Sequence, residues 1–80
     1  MKPINDALCK EMLPILRQAV RHQAAMWDEL IKLEELLECR VESRHLYTWS
    51  FERMKEEDFE RINVKDARHL LEELQDEELQ

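Results

Sequence analysis

Apolar residues recur along the first half of this chain with one steady period. Met12, Leu16, Ala19, Gln23, Met26, Leu30, Leu33 and Leu37 fall alternately four and three residues apart. That is the a/d spacing of a packed helix seam, because such positions share one face of an α-helix. A second stripe runs beside it: Leu13, Val20, Trp27 and Ile31. At about 100° per residue, the two stripes together cover an arc of roughly 160°. One helix against one neighbour needs less. The second stripe stops at Glu34 and Glu38, which occupy the angular positions that continue it. The pattern predicts one long amphipathic helix over 14–45, apolar over a wide arc as far as Ile31 and over a narrow leucine seam beyond it.

Shorter elements flank this spine. Asn5 and Asp6 are good N-cap residues and predict a short helix within 1–13. Pro14 then predicts a break or kink near Leu13, since its ring removes a hydrogen bond and crowds the preceding turn. Leu46-Tyr47-Thr48-Trp49-Ser50 replaces helix formers with aromatic and hydroxyl residues, as expected of a connector over 46–50. A helix over 51–62 carries Phe51, Met54, Phe59 and Ile62 at imperfect spacing. The last helix, over 64–76, is marked by Asn63 as its cap, Asp66 three residues on, and Ile62 and Ala67 at staple spacing. The tail 77–80 is expected to fray, because carboxylates oppose the dipole at a helix C-terminus. The expected fold is all-α: one domain over 1–80, a three- or four-helix bundle on the long helix. A dimer is one way to cover the excess apolar arc.

Composition narrows the function. There is no glycine among the 80 residues, which disfavours phosphate-cradling loops and dinucleotide-binding turns. The net charge of −7 is uneven. Residues 1–27 carry four basic and two acidic groups, whereas residues 46–80 carry five basic and eleven acidic ones. Direct nucleic-acid binding is not expected of such a surface, because phosphate neutralisation needs clustered Lys and Arg. Lys10, Arg17, Arg21 and Lys32 would share one face of a straight spine and make one basic patch. Two cysteines, Cys9 and Cys39, are too few for a disulfide framework and too far apart on one helix, so reduced thiols in the cytoplasm are expected. No run approaches the roughly 18 apolar residues of a membrane span, so no membrane partner is expected.

Catalytic chemistry is sparse. Glu42–His45 and Asp66–His69 have the i, i+3 spacing that helical bundles use for metal ions, with Glu29, Glu35 and Glu38 as further oxygen donors. With 14 glutamates in the chain, such pairs also arise by chance, and an arginine sits between the two ligands each time. A metal-binding helical enzyme is therefore the weaker alternative, and no cofactor or catalytic residue is assigned. The expected function is non-enzymatic: a small acidic regulator, adaptor or inhibitor that occludes a partner protein with a basic or apolar surface. Its interface is expected at Leu13, Val20, Trp27, Ile31, Glu34, Glu38 and Trp49. A narrower version is a phage or mobile-element inhibitor that mimics nucleic-acid charge with residues such as Glu34, Glu38, Glu52, Glu56, Glu57, Glu60, Glu72, Glu73, Glu77 and Glu78. A homo-oligomeric structural protein, with the second stripe as its own seam, is the alternative.

Overall fold

Asn5 starts the first helix. Its side-chain oxygen accepts the Leu8 N–H at 2.9 Å, which satisfies one of the amides that a helix start leaves open. The computed structural model describes residues 2–54 and 61–78. Helix α1 then runs Asp6–Arg21 and continues past Pro14. Of the break or kink expected near Leu13, the break does not occur. Pro14 lies on the exposed side, where water can take up the carbonyl that loses its partner. On the opposite side Cys9, Met12, Leu16 and Ala19 are fully buried, so packing outweighs the local penalty.

The expected spine over 14–45 is not one helix. His22 leaves helical geometry (φ −124°, ψ 66°), a 3-10 turn covers Gln23–Ala25, and α2 runs Met26–Leu37. The chain doubles back, so α2 packs on α1. The Lys2 N–H reaches the Leu37 carbonyl at 3.1 Å and ties the chain start to the end of α2. A straight helix from Met12 to Leu37 would be about 37 Å long, more than the 32 Å longest extent of the Cα trace. The seam survives the break. Met12, Leu16, Ala19, Met26, Leu30, Leu33 and Leu37 are all buried, now as two facing halves of a helical hairpin. Gln23, the polar member of the seam, falls in the turn and donates to the Ser50 hydroxyl at 3.4 Å.

Helix α2 stops without glycine. Glu38 takes the left-handed conformation (φ 55°, ψ 40°) that usually falls to glycine at this position. Helix α3 runs Ser43–Met54 and so absorbs both the end of the expected spine and the expected connector 46–50. Leu46, Trp49 and Ser50 are buried on one of its faces, and this burial overrides the weaker helix propensity of Trp49 and Ser50. The Ser50 hydroxyl donates back to the Tyr47 carbonyl at 3.0 Å, a local bond that removes its cost of burial. The centre of the helix expected over 51–62 lies outside the described residues.

Helix α4, Val64–Glu78, starts as the sequence predicts. The Asn63 side chain accepts the Lys65 and Asp66 N–H groups, and the Asp66 carboxylate accepts the Asn63 N–H at 3.1 Å. Arg17 donates to the Ile62 carbonyl at 2.9 Å and fixes α4 against α1. Helix α1 contacts all three other helices and is the true spine. The described residues are all helical or connecting, with no strand, and no described helix is long and apolar enough to cross a membrane.

The left-handed cap gives a stability test. Glu38→Gly relieves the clash that a Cβ suffers at positive φ and should raise unfolding stability by about 1 kcal/mol. A urea midpoint that stays level or falls would exclude strain at this cap.

Candidate functional site

The second apolar stripe divides at the turn. Leu13 is half-buried against the core, and Val20 is buried where α1 meets its neighbours. Trp27 and Ile31, on α2, stay 65% and 44% exposed. Tyr47 and Phe51, one turn apart on α3, are 50% and 60% exposed. Trp27 and Tyr47 line the same narrow crevice, floored by Met26, Leu30 and Leu46. The α2–α3 face therefore brings Trp27 and Tyr47 together at the surface, with Ile31 and Phe51 exposed one turn further along their own helices. Of the expected interface residues, the structure keeps Trp27 and Ile31 on the surface, with Glu34 half-buried and Glu38 exposed beside them. Leu13 and Val20 belong to the core instead, because the doubled-back chain covers them. Tyr47 and Phe51 were not among the expected residues. Reading 46–50 as a connector hid their i, i+4 spacing.

Trp49 also departs from expectation. It is 1% exposed, and its indole N–H donates to the Asp66 carbonyl at 3.0 Å. The Arg53 guanidinium lies 5.4 Å from the ring centroid and pairs with the Asp66 carboxylate at 3.1 Å. Trp49 ties α3 to the start of α4 and offers no surface to a partner.

Beside Trp27 a hollow of about 510 Å³ opens between α2 and the 38–42 connection. Leu30 and Val41 form its apolar wall, with Glu34, Arg40, Glu42 and Arg44 around it. Glu42 is committed within this group. The hydrogen bond and charge of Arg44, helped by His45 and Arg40, hold its carboxyl below the usual range.

The other charged constellations are taken up by structure. A second hollow, of about 390 Å³, is lined by Arg53, Lys65, Asp66, Arg68, His69 and Glu72. Arg53 pairs with Asp66, Arg68 with Asp6, and His69 with Glu73 at 3.3 Å. The first two pairs stitch α4 to α3 and α1, and the third lies within α4. The basic patch expected on a straight spine is dispersed. Arg17 turns to Ile62, and Lys32 lies on α2 with its ammonium 3.5 Å from Glu29. No group of three His, Cys, Asp or Glu side chains converges as a metal site among the described residues. Cys9 is buried, and burial pushes its thiol up despite the nearby charge of Arg68. Cys39 is half-buried against the core.

Two measurements check these placements. Trp49→Phe removes the bond to Asp66 and should cost about 1–2 kcal/mol, whereas Trp27→Ala should change stability by no more than about 0.5 kcal/mol. Equal losses in urea unfolding would refute the contrast. At pH 8 a thiol reagent should label Cys39 well before Cys9, whose labelling should wait for unfolding. Equal labelling rates in the native protein would contradict the burial of Cys9. The chain matches no protein-family model, and no curated protein or solved structure is significantly similar to it.

Proposed function

We propose that this protein is a non-enzymatic interaction module that binds another protein through its α2–α3 face and occludes that partner's surface. The observation that carries this proposal is the exposure of Trp27, Ile31, Tyr47 and Phe51 on neighbouring helices. A chain of 80 residues has little apolar surface to spare, since one of this size buries only about 60% of what its unfolded form exposes. Contiguous exposed aromatics rimmed by charge are typical of binding surfaces, and Trp and Tyr are favoured interface anchors. Regulator, adaptor and inhibitor are the functional classes that such a surface serves. The exposed carboxylates Glu35, Glu38, Glu72 and Glu73 also suit the narrower form, a phage or mobile-element inhibitor of a nucleic-acid-binding enzyme. The two thiols support a cytoplasmic setting, where they stay reduced.

A homo-oligomer is the second reading, because the same apolar face can seat a second copy. The net charge of −7 on each chain weighs against it, as like charge keeps small proteins apart.

Capture from an extract of the producing cell tests the proposal. A specific partner should be retained by the wild-type chain and lost to Trp27→Ala/Tyr47→Ala, with the helical circular-dichroism spectrum of the variant unchanged. Equal capture by the folded variant would remove the α2–α3 face from the interface. Light scattering of the purified chain decides between the two readings, with a monomer expected.

A further inference from the structure

Helix α2 ends against its own electrostatics. A helix C-terminus carries partial negative charge and favours cations, each carboxylate there being unfavourable. Yet the last turn of α2 has no basic residue, and it holds Glu34 and Glu35, with Glu38 as the cap. Glu38 adds left-handed strain at the same point. The ammonium of Lys32 is turned back to Glu29, and no Lys, Arg or His among the described residues forms an ion pair with Asp28, Glu34, Glu35 or Glu38. Arg44, across the hollow, is paired with Glu42. At 100° per residue, Glu34 and Glu38 prolong the line of Trp27 and Ile31, whereas Asp28 and Glu35 lie roughly 80–100° round from Trp27 on the solvent side. One edge of α2 is thus apolar for its first half and negatively charged for its second, where Glu34 and Glu38 form no ion pair among the described residues although Arg40 and Arg44 share the hollow with Glu34.

We propose that the α2–α3 face receives a basic amphipathic segment of the partner protein. Its apolar residues cover Trp27, Ile31, Tyr47 and Phe51, and its Lys or Arg side chains meet Glu34 and Glu38. The inference rests on the interaction reading above and adds the chemistry of the partner. Charge complementarity selects this occupant. A cationic segment relieves the unfavourable carboxylates at the end of α2, whereas a second copy of the chain brings another net charge of −7. The local instability is then the counterpart of binding: these glutamates cost the free helix stability and favour the complex.

The experiment is site-specific photo-cross-linking from position 31 of the full chain in an extract of the producing cell. Mass spectrometry then maps the joined segment, and the corresponding synthetic peptide is titrated against the chain. The segment should carry Lys or Arg within one helical turn of its apolar residues. Glu34→Gln/Glu38→Gln should weaken the peptide about fivefold at low salt, and the difference should shrink at high salt as the charges are screened. The same variant should melt no lower than wild type, because it removes carboxylates from a helix C-terminus. A cross-linked segment without cations, or peptide affinity unmoved by the variant, would overturn the inference and leave the interaction reading standing. Cross-links that join two copies of the chain would overturn it in favour of a dimer. Absence of any Trp27-dependent cross-link would remove the interaction reading itself.

Discussion

Everything in this molecule depends on a seam that folds onto itself. Two runs of apolar residues, Met12–Ala19 and Met26–Leu37, face each other only because the chain reverses over His22–Ala25. The reversal has no glycine or proline to enforce it. Burial drives it: one extended helix would leave a wide apolar arc wet, and the hairpin buries most of that arc within a single chain. Gln23 makes the turn possible at this point. It is the polar member of the seam, and in the turn its amide reaches the buried Ser50 hydroxyl. A leucine there would lose that bond and favour continuation of the helix.

The same reversal accounts for the surface. When α2 folds back on α1, the second stripe cannot remain one stripe. Its first half, Leu13 and Val20, turns toward the bundle, and its second half, Trp27 and Ile31, stays outside. Helix α3 sets Tyr47 and Phe51 alongside. The apolar face is therefore a product of the tertiary fold, assembled from helices that no single period links. The carboxylates of α2 follow the same edge, so attraction for apolar groups and attraction for cations lie in sequence along one helix.

Much of this was legible in the chain itself. The seam positions, the all-helical class and the Asn63–Asp66 cap follow from spacing and residue type. Three features were hidden, each for a physical reason. A four-three repeat is the same for one straight helix and for two halves packed face to face, so periodicity cannot locate the turn at 22–25. Pro14 and the Leu46–Ser50 stretch carry poor local propensity, yet Met12, Leu16, Leu46 and Trp49 gain enough from burial to keep both segments helical. The fate of Trp49 turned on one hydrogen-bond acceptor, the Asp66 carbonyl, supplied by a helix that begins fifteen residues further on.

The bond from Arg17 to the Ile62 carbonyl links residues 45 apart. The hairpin of α1 and α2, by contrast, is closed by a turn of a few residues. Closing a long loop costs more chain entropy than closing a short one, so the hairpin is the cheaper nucleus and α4 the later arrival. Trp27 and Ile31 lie within that hairpin and Tyr47 and Phe51 on α3 outside it, whereas α4 secures the bundle through Trp49 and Arg17. The Trp27–Ile31 half of the exposed face thus belongs to the short-range closure, and the Tyr47–Phe51 half comes with the helix whose Trp49 is held by α4.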